Sequence, residues 1–340
     1  MPIFCLKIGA PKQLLLFFIF SFLTLQAVAQ DFTKVDQYAR NYKAKTKDYK
    51  VLAVELTAPF DNPTDKARAI YVWLTDNIKY DCKKFHKRQK GKAKKKPITY
   101  RTEQERDQIL KARKMEYMTL TLKKKKGVCE DYALLFQKMC EAVGIESRFV
   151  TGHLGGNPQK IGKIPRIFNH AWNSVQLDGQ WYLVDATTGS GTNKPGCKGF
   201  QKNFNGGLFM TAPQDMILSH YPDKEEWQYL EQPLTKEEFS QLPVASSGFY
   251  KYLVADYAPK KGLINAKENA KIKFRIKFGA PMNGQMSLLV NGKFQKTPFR
   301  KTSDGYRELE YDLKKRRNKT MTIVLKDGDK IYNVLTYKSK

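Results

Sequence analysis

The sequence predicts a mixed α+β core followed by a smaller all-β, immunoglobulin-like sandwich. Three observations carry this: two segments with helical apolar periodicity, a strand pair joined by Asp178-Gly179, and unbroken strand-type alternation from about Ser246 onward. At 340 residues, 41% apolar and 28% charged, the chain can bury cores for about two domains of ~150 residues each, which excludes general disorder. The expected division is a leader over 1–29, the α+β core over 30–235 and the sandwich over 246–340.

The leader reads as a secretory signal. Lys7 and Lys12 precede an apolar run from Leu14 to Leu25, and Ala27-Val28-Ala29 offers a cleavage point before Gln30. The run is shorter than the roughly 20 residues of a membrane span, and no cysteine follows the cleavage point to take a lipid. The expectation is a soluble exported protein, periplasmic or secreted. Its formal charge is +28, of which Lys7 and Lys12 supply two, leaving +26 and an affinity for acidic envelope polymers. The lysines are scattered and no nucleic-acid-binding motif is present, so nucleic acid is not the expected partner.

About thirty polar residues precede the first expected helix, which starts at Asn62-Pro63-Thr64-Asp65 with a capping Asn, a Pro at the first position and an early acid. Ala67, Ile70, Tyr71, Leu74 and Ile78 form its apolar stripe. Between Lys83 and Lys96 nine of fourteen residues are Lys or Arg, which reads as a solvated insertion loop. A second basic run, Lys123 to Lys126, precedes Gly127.

The next helix is defined by Cys129, Tyr132, Ala133, Phe136, Met139, Cys140 and Val143 on one face, with Gly144 as its stop. Cys129 and Cys140 lie three turns apart, roughly 16 Å, and cannot bridge each other. Cys140 is read as core. Whether the four cysteines after the leader, Cys82, Cys129, Cys140 and Cys197, form two bridges, one or none is open on spacing alone. No Cys-x-x-Cys or close His pair marks a zinc site.

After a short strand near Ser147 to Val150, segments 170–177 and 180–187 flank Asp178-Gly179, a two-residue hairpin signal. With Leu177 opposite Gln180, Trp172 falls opposite Asp185 and His170 opposite Thr187. His170 and Asp185 become diagonal neighbours on one face, about 7–8 Å apart at the backbone. The later strands are expected at 271–278, 285–290, 307–312 and 321–325.

A cysteine nucleophile needs a thiolate, favoured at a helix N-terminus, a base to accept its proton and a third group to orient that base. Cys129, His170 and Asp185 fit these roles, with the Cys129 N–H as one oxyanion donor. Trp172 and Asn169, flanking His170, are assigned to the substrate cleft. His153 is read as a loop residue, His86 as part of the basic loop and His220 as belonging to a separate segment.

The stretches 71–81 (YVWLTDNIKYD), 127–152 (GVCEDYALLFQKMCEAVGIESRFVTG) and 169–191 (NHAWNSVQLDGQWYLVDATTGSG) resemble the transglutaminase-like superfamily, whose fold is related to papain-type cysteine proteases. Residues 206–230 look like the region that follows the core in its kyphoscoliosis-peptidase-like branch. The resemblance implies a Cys129–His170–Asp185 triad acting on amide bonds of peptides or proteins as peptidase, amidase or acyl transferase. It also admits a second reading, a non-catalytic cell-envelope binding or scaffold protein that keeps the fold, because superfamily members differ in reaction and some are inactive. Animal transglutaminases use calcium, but no EF-hand-like or clustered carboxylate loop is present, and no cofactor or metal is expected.

Overall fold

The computed structural model describes residues 31–90, 97–268, 270–314 and 317–340. The expected leader, its cleavage after Ala29 and positions 91–96 of the Lys-rich run lie outside the described residues. Two helices precede the first expected one, α1 (Thr33–Asn41) and α2 (Tyr49–Thr57). The helix at Asn62 is therefore not the first, and the polar stretch ahead of it is itself partly helical. Asp48 caps α2 by accepting from Lys50 N, and Asp36 of α1 pairs with the buried Arg68 at 2.7 and 2.8 Å. Arg68 belongs to α3 (Pro63–Asn77), where Asn62 accepts from Asp65 N as its cap.

A two-residue strand β1 (Lys79–Tyr80) follows, then α4 (Cys82–Gln89) and the long α5 (Glu103–Lys124). The first half of the basic run is therefore helix rather than loop. Asp81 caps it by accepting from Lys84 N, Cys82 is bonded to Cys197, and its cations meet Glu130 and Asp131, acids beyond α5, instead of repelling one another. Strand β2 (Lys126–Gly127) pairs in parallel with β1 and delivers the chain to α6 (Cys129–Ala142). Gly144 ends α6 at φ +79°, and Cys140 is fully buried with a free thiol, as expected.

Helix α6 packs on a four-stranded sheet of β3 (Ser147–Leu154), β4 (His170–Leu177), β5 (Gln180–Val184) and a later strand described below. The β4–β5 hairpin keeps the expected register, Leu177 opposite Gln180 through Asn173 opposite Val184, with Asp178 and Gly179 both at positive φ. The second strand stops at Val184 rather than Thr187. Asp185 turns the chain into a short helix, α7 (Ala186–Ser190), by accepting from Thr187 and Thr188 N, so Thr187 does not pair with His170.

Strands β6 (Gly191–Asn193) and β7 (Phe200–Lys202) form a small hairpin, and β8 (His220–Pro222) completes the core sheet in the order β5-β4-β3-β8. Gly152 of β3 lies between β4 and β8, where a Cβ would come within 2.4 Å of the Trp172 ring and 2.3 Å of the Tyr221 carbonyl. Only glycine permits that approach. His153 sits within β3, not in a loop, and His86 within α4.

The C-terminal region is all-β. One sheet joins β9 (Val244–Ala245), β11 (Leu263–Ile264), β13 (Gln285–Val290), β14 (Lys293–Phe294), β17 (Thr320–Asp327) and β18 (Lys330–Ser339). The other joins β10 (Val254–Ala258), β12 (Lys271–Phe278), β15 (Arg300–Lys301) and β16 (Arg307–Asp312). Alternation in β12, with Ile272, Phe274 and Ile276 buried, faces these sheets onto a shared core. That core is continuous with Val150, Trp172, Leu208 and Leu218 beneath the β3–β4 sheet. Among the described residues, no helix is long and apolar enough to cross a membrane.

Candidate active site

Cys129 opens α6, half-buried and with a free thiol. The helix start is fixed from several sides. Asp131 accepts from Val128 N at 2.8 Å and from Lys84 Nζ at 2.7 and 2.8 Å, and Arg88 pairs with Glu130 at 2.7 Å. Tyr132 donates to the Ile78 carbonyl at 2.6 Å, and the buried Asn173 of β4 donates to the Ala133 carbonyl at 2.9 Å. As the first residue of a helix, Cys129 has no intrahelical acceptor for its N–H.

His170, its side chain 7% exposed, faces Asp185 through Nε2 at 2.8 Å. Asp185 is fully buried and its carboxylate is saturated: Oδ1 accepts from Thr187 and Thr188 N, and Oδ2 faces both His170 and His220. Burial alone would lower His170, but the charge and hydrogen bond of Asp185, with a further hydrogen bond and charge from Cys129, raise it to about 10. Burial works against the ionised Asp185, yet the two histidines hold it well below the usual carboxylate range.

His220 is the residue that chain order hides. It lies in β8, opposite Leu154 of β3, 2% exposed, with Nε2 3.1 Å from Asp185 Oδ2. Burial pushes it below the ordinary imidazole value, so it sits neutral. The hydrogen-bond pattern assigns its proton to Nε2, donated to Asp185, while Nδ1 accepts from Ser219 Oγ at 2.7 Å. Ser219 in turn meets the Tyr250 hydroxyl at 2.5 Å. No local motif could have found this pairing, because strand β8 is short and its partner carboxylate is 35 residues away.

His170, Asp185 and His220 offer ligand atoms within 4.8 Å of one another, close enough to hold an ion, a grouping invisible to chain spacing. Here the two N···O distances are those of hydrogen bonds, and Oδ1 is already filled by backbone donors.

The structure brings His170 and Asp185 together, and Cys129 at the start of α6 lies within electrostatic reach of the same imidazole. Trp172 lies 1% exposed under the histidines, stacked on His170 and edge-on to His220, rather than on the cleft surface. Asn169 is exposed; its side chain accepts from Leu154 N at 2.8 Å and lines the cleft. That cleft, about 200 Å³, is walled by Tyr80, Phe85, Leu154, Asn169, His170 and Phe200, among others. Tyr80 was not foreseen. Paired with Gly127 by the β1–β2 register, it sits within electrostatic reach of Cys129, and burial raises its hydroxyl so that it stays protonated. The bond between Cys82 and Cys197 resolves the question that spacing left open.

Residues 50–186 match the sequence model of the transglutaminase-like superfamily, and together with the sheet, helix and His–Asp geometry they define a transglutaminase-like domain. The chain is 30% identical to the kyphoscoliosis peptidase of Homo sapiens over 265 residues, 78% of this chain and 36% of that protein. Hillarin of Drosophila melanogaster is 29% identical over 139 residues, 36% of this chain and 16% of that protein. A solved TGase structure aligns with a TM-score of 0.28 and 15% identity, covering 51% of this chain and 37% of that one. The chain thus carries a transglutaminase-like domain of the kyphoscoliosis-peptidase-like branch. It spans about a third of the length of the kyphoscoliosis peptidases it matches, 36%.

Proposed function

We propose that the protein is an exported cysteine enzyme acting on amide bonds of peptides or proteins. The observation that carries this reading is a saturated, buried Asp185 holding His170 by Nε2, which leaves Nδ1 for the thiol at the start of α6. In this reading Cys129 gives its proton to His170 and attacks the amide carbonyl. The oxyanion is received by the Cys129 N–H and the Tyr80 hydroxyl. Imidazolium returns the proton to the leaving amine as the C–N bond breaks, and water or a second amine releases the acyl group from sulfur. Asp185 keeps the imidazole in one tautomer and balances its charge.

The test compares alkylation of Cys129 by iodoacetamide in the full chain and in His170→Ala. The assembled pair makes alkylation at about pH 6 at least tenfold faster than in the variant, and Cys129→Ala removes activity on peptide amides. Equal alkylation rates, with no amide activity that depends on Cys129, would reject the enzyme. The Tyr80 role has its own check: Tyr80→Phe should lower kcat about 100-fold with KM little changed. A variant with wild-type kcat would remove Tyr80 from the mechanism.

A further inference from the structure

A second cavity, about 810 Å³, adjoins the His170 cleft and shares Leu154 and Asn169 with it as walls. Its volume is in the range of sites that enclose a ligand. Ile161, Leu218, Phe239, Leu242 and Val244 give it an apolar lining, while Lys160, Lys163 and Arg166 bring positive charge. Among the described residues, no aspartate or glutamate lines it. Lys160, Lys163 and Arg166 are exposed, and among the described residues none of the three has a side-chain hydrogen bond or an ion pair. Three cations of one sign beside one apolar hollow are left unbalanced, in a protein where Lys84, Arg88 and Arg275 do have acidic partners.

The segment that carries them, between β3 and β4, is held in place. Ile161 is buried, Gly162 N donates to the Ser240 carbonyl at 2.7 Å, and Gln159 Nε2 donates to Thr320 Oγ1 of β17 at 3.3 Å. Lys338 of β18 reaches the Gln159 carbonyl at 3.4 Å. The hollow is therefore built before anything enters it. Ile164, Ile167 and Phe168 extend its apolar character to the exterior at 46%, 68% and 49% exposure. A flat polyanion would use the charges but not the hollow; a neutral apolar peptide would use the hollow but not the charges.

We propose that this cavity is a specificity subsite of the cleft, taking a large apolar side chain from an acidic polypeptide segment whose carboxylates pair with Lys160, Lys163 and Arg166. The proposal rests on the amide-acting reading of the cleft, and it names the substrate class. Pairs at such exposed positions are individually weak, so three of them together give roughly a tenfold preference, strongest at low salt.

The test reads binding, separately from turnover. Full-chain Cys129→Ala is titrated into a fluorescein-labelled peptide of glutamates around a central phenylalanine, then into counterparts with Lys for Glu and with Ala for Phe. The Glu/Phe peptide should bind about tenfold tighter than either counterpart. Adding Lys160→Glu, Lys163→Glu and Arg166→Glu should erase the charge preference, with an unchanged circular dichroism spectrum. Equal affinity for the Glu and Lys peptides, or a preference untouched by the charge reversals, overturns the subsite. So does heparin or an anionic lipid vesicle that binds tightly while the Phe and Ala peptides do not differ. Because Cys129→Ala performs no chemistry, a bound peptide that the unmodified protein leaves intact counts against the amide reading and not against the subsite.

Discussion

Asp185→Asn is expected to lower amide turnover about 10⁴-fold while leaving the chain folded, the scale reached when the carboxylate of a triad becomes an amide. Two imidazoles point N–H groups at Oδ2, and two backbone N–H groups fill Oδ1. An amide offers one acceptor and turns an NH₂ toward one pair of those donors. His170 must then change tautomer or lose its partner, and nothing balances its charge. The accompanying stability change has a defined pH window. Asp185, depressed in the fold, contributes above its ordinary value near pH 4, and loses that contribution as pH falls through its native value. His170, raised to about 10, contributes fully below its ordinary value near pH 6.5 and loses that contribution as pH climbs to about 10. The stability difference between wild type and Asp185→Asn should thus peak between about pH 4 and 6.5 and shrink on both sides. Urea unfolding across pH reads it. A difference that grows steadily to alkaline pH, or turnover within tenfold of wild type, would contradict the pairing.

The second large effect concerns Cys82 and Cys197, joined across 115 residues. Replacing both by serine removes a long closed loop from the unfolded chain, a loss of about 3–5 kcal/mol in the chain-entropy account. It should appear as a lower urea midpoint, with a slope at least as steep as that of the bridged chain because the uncrosslinked chain unfolds to a less compact state. The effect extends to the site, because Cys82 is the first residue of α4, whose Lys84 and Arg88 hold Asp131 and Glu130 beside Cys129. Freed from its tether, α4 should fray, and Cys129 alkylation should lose part of its dependence on His170. A reduced or serine-substituted protein with an unchanged midpoint would show that this link stabilises nothing.

Legibility in the sequence followed the range of the forces involved. Helices α3 and α6 were readable because a cap and an apolar stripe are local, and the β4–β5 register because Asp178 and Gly179 both take the positive φ that a tight turn demands. Four strands of the sandwich, β12, β13, β16 and β17, alternated clearly enough to be placed within a few residues, while β18 at Lys330–Ser339 was not. Helix α1 was missed because it buries only Val35 and Ala39 and is held by an ion pair from Asp36 to Arg68 of α3. Helix α4 was misread because its charges are balanced by acids more than forty residues on, which no window contains. In the site, His170 and Asp185 shared a hairpin and were found. His220 and Tyr80 reach it only through sheet pairing with β3 and β2, so their chemistry is tertiary and carries no local signal.

The hydroxyl relay from His220 through Ser219 to Tyr250 fixes how small a working fragment of this protein can be. Tyr250 lies well beyond the segment that the superfamily model spans, in a short helix, α8 (Ser247–Lys251). A chain trimmed to residues 50–186 would lack β8 altogether, leaving Asp185 Oδ2 with one histidine. One trimmed after Pro222 would keep His220 but strip Ser219 of its phenolic partner, and remove Phe249 and Leu335 from the hydrophobic cluster that buries Trp172. The shortest piece that can hold the carboxylate as it is held here must run past Tyr250 and bring its own cover for Trp172. Fragments cut at the family boundary are therefore poor stand-ins for the full chain, however well they express.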